Sequence, residues 1–559
     1  MELLNTENLP FMVIHRNLLS FLLILNLSIA AQKLKKADQA IIKNLQTHVG
    51  YLSGDELEGR RIGTRGETLA GEYIKSQFEN NGLQPKGDSG SYYQTFEIWE
   101  GKNYDKNSYL FINGEKVNTD DFFPLPSSPK INMEASPSIA LKESGVPWFL
   151  DVREDWQAAK NNPHFSKTSY LEDMAKKASQ KGATALFIYN SDEEAEELEY
   201  DGKQKLQPAS IPVIVISNKI AKKYFRDETA SLKIKLNIDF TDNTRKGFNV
   251  IGFIDNGAPN TAVLGAHFDH LGYGEDGNSL LTNSEKRIHH GADDNASGIA
   301  ALIELSKLLK KTKLKNTNYL IIAFSGEELG LLGSKFFVNQ PTIDLSEVNY
   351  MINLDMVGRL NDQTKTLIIG GYGTSPSWSQ VFKAVSTSKY FVNKYDSSGV
   401  GPSDHTSFYT KKIPVLFFFT GTHPDYHKPT DDSAKINYTG EYLIVQYIYK
   451  VIESTNKNGK LAFNQTRDQQ MQTTSFSVTL GIMPDYSFNG NGVRVDAISD
   501  GRPAQKAGLK MGDVVIQLGD YPVSSLENYM QALNKFRKGD KTTVKVKRDE
   551  ETVEALVTF

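Results

Sequence analysis

The chain is 559 residues long, carries a net charge of −4 and contains no cysteine. Its length allows roughly three to four domains of about 150 residues, and 39% hydrophobic with 23% charged residues favours packed cores over wholesale disorder. The small negative charge gives no electrostatic case for a nucleic-acid partner, and the missing cysteines exclude disulfides, thiolate ligands and cysteine lipidation.

Arg16 precedes an apolar stretch from Leu18 to Ala30, with Ser28 and Ala30 as small residues before Ala31. This predicts an export signal over residues 1–31. Met12 is an alternative initiator. The stretch falls short of the roughly 20 apolar residues of a bilayer span, so no stable membrane span is expected after cleavage. Export without cysteine fits a bacterial periplasm or the cell exterior.

A charged helix is expected over 34–52. DELEGRRIGTRGE then starts as a Gly/Arg loop and becomes a helix with Leu69, Tyr73, Ile74 and Phe78 on one face, ended by Gly82. Tyr92 to Leu110 alternates as strands do. Pro124, Pro126, Pro129 and Pro137 mark a boundary. Beyond it, short strands (148–152, 185–189, 211–216) and one helix (170–181) suggest an inserted module whose strands end in no cluster of ligand-type residues.

From Gly247 to about Ser454 apolar strands alternate with helices. The strands are expected at 249–254, 262–266, 319–324, 350–354, 366–369 and 415–419, with a broadly apolar helix over 297–311. This pattern predicts an α/β fold whose mostly parallel sheet is sandwiched by helices. A polar linker follows over 455–472, then a β-rich domain over 473–559 with one helix.

The chemistry gathers at the ends of those strands. His267 follows the strand 262–266, Glu327 and Glu328 follow 319–324, Asp355 ends 350–354, and His427 lies in the loop after 415–419. Asp293 precedes the helix that starts near Ser297. Ligands in such sheets sit beyond the carboxyl ends of the strands. Taken singly, these residues could be helix caps, turn residues or a solvated helix start. Jointly, their shared placement favours a metal site. Two histidines and three carboxylates suit two zinc ions sharing a bridge, and the three negative charges leave one positive charge for a bound hydroxide.

HFD, GADDNASG, SGEELG, NLDM and DYH together resemble the co-catalytic zinc aminopeptidase family, which includes secreted bacterial leucyl aminopeptidases and has glutamate carboxypeptidase and glutaminyl cyclase as relatives. The resemblance covers residues 34–122 and 247–454 as the catalytic domain. It implies a zinc metallopeptidase with two zinc ions per chain, acting on peptide substrates. His267 and Asp355 would hold one ion, Glu328 and His427 the other, and Asp293 would bridge them, with a cis peptide between Asp293 and Asp294. Asp269 would fix the His267 ring, Glu327 would be the general base, and Tyr426 would donate to the oxyanion. Asp404 and His405 match a further family motif, with a substrate-facing role or a loop cap both open. His289 and His290 are expected to be loop residues. Arg359 could meet a substrate carboxylate or pair with an acidic neighbour.

Residues 123–240 resemble a protease-associated domain through GATALFIYN and IPVIVIS, an inserted α+β or β module that would restrict access or contact substrate. TLGIMPDY and AGLKMGDVVIQLG resemble a PDZ domain, in which Leu480, Gly481 and Ile482 would present backbone N–H groups to a C-terminal peptide ligand. The expectation is therefore an exported exopeptidase, foremost an aminopeptidase. A glutaminyl-cyclase-like or carboxypeptidase-like relative, or a non-catalytic PDZ peptide-binding protein, are the alternatives.

Overall fold

Three strands, Thr261–His267, Asn318–Phe324 and Val348–Leu354, are buried at every position. Such continuous apolar runs need cover on both faces, and they form the centre of a sheet. A computed structural model of the chain describes residues 35–559 apart from 105–106, 160–166, 193–197, 204–207, 282–284, 386–389, 467–477, 485–490, 499–500, 525 and 550. The expected export signal lies outside the described residues, as does part of the linker. Among the described residues no helix is long and apolar enough to cross a membrane.

The main sheet has nine strands among the described residues. Four neighbours run parallel in the order Asn318–Phe324, Thr261–His267, Val348–Leu354, Val415–Phe419. The flanks turn antiparallel, Phe240–Ile254 against Asn318–Phe324 on one side and Thr366–Gly370 against Val415–Phe419 on the other. Helices Lys36–Leu52, Gly298–Lys311 and Tyr438–Thr455 cover one face, where Leu45, Val49, Leu302, Ile303, Ile448 and Val451 share a single core. Helices Leu332–Asn339 and His405–Tyr409 cover the other, with Phe337 and Phe408 packed against Ile322, Phe324 and Val415.

The helix expected from Ser297 starts at Gly298, because Ala292–Ser297 forms a wider turn of its own. The Asn295 side chain ends that turn by accepting the Gly298 N–H at 2.9 Å.

Strands Tyr93–Tyr104 and Phe240–Ile254 pair along their length and carry the chain out of the main sheet and back. Between them lie two small sheets. In one, Trp148–Asp151, Leu186–Tyr189 and Val213–Ile216 run parallel with Phe122–Pro124 at the edge. The other is antiparallel, around Tyr109–Ile112 and Ile234–Ile238. They share a core that includes Leu110, Phe187, Ile214 and Leu236. After the linker, residues from Val478 onward build a separate antiparallel sheet around Leu480, Val515 and Val544.

Candidate metal centre

Because the four central strands are parallel, their carboxyl ends open on one edge. His267 is the last residue of its strand, Asp355 follows Val348–Leu354, and Glu327 and Glu328 sit three and four residues beyond Phe324. The loop after Val415–Phe419 supplies His423, Tyr426 and His427. His427 has φ +53°, a left-handed conformation uncommon for a side-chain-bearing residue.

Asp294 stands at the middle of this edge. Its Oδ1 is 3.2 Å from His267 Nε2, and its Oδ2 is 3.3 Å from His427 Nε2. His267 Nε2 lies 3.3 Å from Asp355 Oδ1, and His427 Nε2 lies 3.1 Å from Glu328 Oε2. His427 donates its Nδ1–H to the Asn278 carbonyl at 2.9 Å, which leaves the Nε2 lone pair facing the carboxylates.

The bridging position expected at Asp293 is thus taken by Asp294. Asp293 turns inward instead: its Oδ1 accepts the Gly358 N–H at 2.7 Å and the Ser297 hydroxyl at 3.0 Å, and its Oδ2 lies 3.2 Å from His423 Nε2. The physical reason is Asp431, whose Oδ2 accepts the N–H groups of both Asp293 and Asp294 at 2.9 and 3.0 Å and so orients the turn. The cis peptide expected at Asp293–Asp294 lies one bond on, at Asp294–Asn295.

Glu327 Oε2 is 4.0 Å from His267 Nε2. Burial pushes its pKa well above the usual carboxylate range, and Asp355, Glu328 and Asp404 add to this against the opposing pull of His267. Burial is the largest influence on Glu328 and acts the same way, but the charge and hydrogen bond of His427 and the hydrogen bond of His270 together outweigh it and hold that carboxyl down to about 2. Two adjacent glutamates are thereby set to opposite tasks, one suited to carrying a proton and one to staying charged. Burial resists protonation of His267 and His427, yet their carboxylate neighbours raise both well above the ordinary imidazole range. Tyr426 stacks on the His427 ring with centroids 3.9 Å apart.

Asp269 faces the backbone of the glutamate pair as well as His267. Its carboxylate accepts the N–H groups of Glu327 and Glu328 at 3.2 and 3.4 Å, while the His267 ring meets the Asp269 carbonyl at 3.2 Å and its carboxylate at 3.6 Å.

Several contributors were missed in the sequence. His270, three residues after His267, places Nδ1 2.8 Å from Glu328 Oε1. Arg60, in the Gly/Arg loop, is only 1% exposed and sits directly behind the centre. It donates to the carbonyls of Phe268 and His290 at 2.8 Å and Gly291 at 3.0 Å, and also to Leu52. It therefore ties the turn after His267 to the turn before Asp294. Burial lowers its pKa to about 10 while Asp294, Asp269, Asp431 and Glu328 oppose the loss of charge. Gly59 has φ +70°, and a Cβ there would lie 2.6 and 2.7 Å from the His289 and Gly272 carbonyls, so only glycine lets Arg60 approach. The permanently charged guanidinium of Arg60 within EGRR was the available signal.

The remaining candidates are not in the two donor groups. Arg359 pairs with Asp425 at 3.2 Å, the acidic-neighbour alternative. His289 bonds Ser279 at 2.7 Å and His290 bonds Asp55 at 2.8 Å, both as loop anchors. Asp404 is fully buried with its pKa pushed up to about 7, first by burial. His405 stacks flat on Phe417, 4.6 Å between ring centres. In the C-terminal sheet Leu480 is buried, Gly481 has φ +75°, and Ile482 opens the strand Ile482–Pro484.

The donor set fits two divalent ions. His267, Asp294 and Asp355 form one group of donor atoms within 4.8 Å of one another, and His270, Asp294 and Glu328 form a second that shares Asp294. Imidazole and carboxylate donors with a shared carboxylate suit zinc.

Imidazoles and carboxylates gathered at the carboxyl edge of a mostly parallel α/β sheet define a candidate metal-binding α/β domain. Residues 249–452 match the Peptidase family M28 model and residues 478–559 match a PDZ domain. The chain thus carries a segment similar to M28 peptidases, followed by a segment similar to PDZ domains. It is 30% identical over 199 residues to leupeptin-inactivating enzyme 1 of Streptomyces exfoliatus, covering 35% of this chain and 40% of that protein. It is 26% identical over 302 residues to aminopeptidase YwaD of Bacillus subtilis, covering 51% of this chain and 61% of that protein. The chain thus spans about two to three fifths of the curated relatives it matches. Among solved structures, it is similar to an aminopeptidase from Aneurinibacillus sp. strain AM-1, at 20% identity and a TM-score of 0.41, with 76% of this chain and 95% of that one covered. BSAP, a zinc aminopeptidase from Bacillus subtilis, aligns at 20% identity and a TM-score of 0.41, with 75% and 95% covered.

Proposed function

We propose that this chain is an exported exopeptidase with two zinc ions, which removes N-terminal residues from peptides. The observation that carries the reading is Asp294, shared between two donor groups with Glu327 poised beside them. In this reading His267 and Asp355 would hold one ion and His427 and Glu328 the other, with Asp294 shared between them and His270 beside Glu328. Bound zinc supplies Lewis acidity for the scissile carbonyl and makes water acidic enough to lose a proton near neutral pH.

The chain's own residues do the rest. Glu327 takes the proton from the attacking water and returns it to the leaving amine, a task its raised pKa suits. Tyr426, held by its stack on His427, donates a hydrogen bond to the developing oxyanion. Asp269 keeps the Glu327–Glu328 backbone in place. The inserted module between the two long strands is assigned a protease-associated role, limiting which peptides reach the edge. The PDZ domain is assigned the capture of a C-terminal peptide along the strand Ile482–Pro484.

The test is hydrolysis of aminoacyl anilides and N-blocked peptides, with and without chelator. Chelator-sensitive release from free N-termini is expected. Cleavage of blocked substrates alone would overturn the assignment, and ring closure with loss of ammonia would point to glutaminyl cyclisation.

A further inference from the structure

The segment Gly272–Leu281 crosses from the turn after His270 to the loop that carries His427. Its bonds reach one half of the centre. The Asn278 carbonyl accepts the His427 Nδ1–H at 2.9 Å, the Leu280 N–H donates to the His427 carbonyl at 3.0 Å, and Asn278 Nδ2 donates to the Glu328 carbonyl at 3.3 Å. Both residues touched are donors of the same half.

A segment that orients a ligand must itself be fixed. Here the anchor is Asp276, two residues before Asn278. Its side chain is only 13% exposed. Arg61 grips it with both arms of its fork, Nε to Oδ2 at 2.7 Å and Nη2 to Oδ1 at 2.8 Å, and Arg245 Nη2 adds a third contact at 3.1 Å. Arg245 is tied in turn to the Ile62 carbonyl at 3.0 Å and lies 3.1 Å from Glu100. Arg61 comes from the N-terminal loop and Arg245 from the strand Phe240–Ile254, so the anchor draws on two elements that bear no metal donor. A two-pronged arginine–carboxylate pair fixes orientation as well as distance. Farther along, the Ser279 hydroxyl meets His289 Nε2 at 2.7 Å and closes the loop onto itself.

We propose that Asp276, clamped by Arg61 and Arg245, is a positioning residue for the His427–Glu328 half of the metal centre. It holds Asn278 where its carbonyl selects the His427 tautomer that leaves Nε2 free to bind metal. The inference rests on the reading of His427 and Glu328 as metal donors. Outer partners that orient a ligating histidine typically contribute about 10- to 100-fold in metal affinity. The His267–Asp355 half takes no bond from Gly272–Leu281 among the hydrogen bonds described for these residues.

The test is a titration of metal-free full-length protein with cobalt, followed by its visible spectrum, for wild type, Asp276→Asn, Arg61→Lys, His427→Ala and the double variant Asp276→Asn/His427→Ala. Asp276→Asn is expected to raise one of two dissociation constants about 10-fold or more and to leave the other within about twofold. Arg61→Lys keeps the charge, loses the fork, and is expected to reproduce the effect more mildly. In the His427→Ala background Asp276→Asn is expected to add nothing, because it acts through that ring. Unchanged constants in Asp276→Asn, or an equal loss with and without His427, overturns the proposal. If His427→Ala alone leaves both constants unchanged, the donor assignment fails instead, so the two failures read differently.

Discussion

Asp293 and Asp294 are adjacent and chemically identical, and the structure gives them opposite duties, which makes their alanine variants a sharp test. Asp294→Ala removes a donor from both halves of the centre at once. A ligand contributes more than an outer partner, so both metal constants should rise by more than about 100-fold, and dialysed protein should retain little zinc. Asp293→Ala removes no donor. It strands the Gly358 N–H, which Asp293 accepts at 2.7 Å, while the Ser297 hydroxyl keeps its bond to the Asp293 backbone carbonyl at 2.8 Å. A buried donor left unpaired costs about 1–3 kcal/mol. Some of this returns, because the Asp293 charge helps push up the buried carboxyls of Asp431 and Glu441. A net loss of about 1–2 kcal/mol lowers Tm by roughly 2–8 °C in a domain of this size. Elemental analysis of dialysed protein and calorimetry read the two quantities separately. Zinc near two per chain in Asp293→Ala and near zero in Asp294→Ala is the expected pair. The reverse pattern refutes the placement of the bridge.

Glu327→Gln should lower kcat by about 10²- to 10⁴-fold while zinc content stays at the wild-type level, and full turnover would remove Glu327 from the proton-transfer role. Chelation should abolish hydrolysis and lower Tm, and zinc at 1,000 times its dissociation constant should restore about 4 kcal/mol of stability; a melting curve indifferent to chelator would count against a structural grip on the ions. Glu67, only 1% exposed beneath the Gly/Arg loop, has its carboxyl pushed from 4.5 up to about 7, first by burial and against its bonds from Ser325 and Gly63. A group raised in the folded state contributes its full stability below its unfolded pKa and loses it as pH climbs through the folded value, so stability should fall by about 3 kcal/mol between pH 4.5 and 7. Urea melts of Glu67→Gln across that window should show a flatter dependence than wild type, and an unchanged slope would exclude Glu67 as the source.

The strand ends were legible because burial on both faces writes a continuous apolar run. A donor placed just after such a run falls at the carboxyl edge whatever the exact turn. His267, Glu328, Asp355 and His427 are all of this kind, and the structure brings them together. The bridge was not legible to the residue. GADDN offers two aspartates one position apart, and the choice is made by Asp431, more than a hundred residues away, through two backbone N–H groups. His270 was hidden for a related reason: HFDH reads as one ligand with a supporting aspartate, and only the parallel pairing of Thr261–His267 with Asn318–Phe324 carries His270 to Glu328.

Arg60 shows what the sequence conceals most fully. Asp269, Asp293, Asp404, Asp431 and Glu441 are all at 0% exposure within this one region. So many buried carboxyls need positive charge or protons nearby. Burial and neighbouring charge keep Asp404, Asp431 and Glu441 raised toward their neutral forms. Against the rest the fold offers, among the described residues, one fully buried guanidinium, that of Arg60, which donates to four backbone carbonyls. Among the described residues its charge has no direct ion pair and acts on the whole cluster, and Asp294, Asp269, Asp431 and Glu328 support it against burial, which lowers its pKa on balance. A hydrophilic loop in the sequence is, in the structure, the fixed positive pole behind a site built to receive more of the same sign.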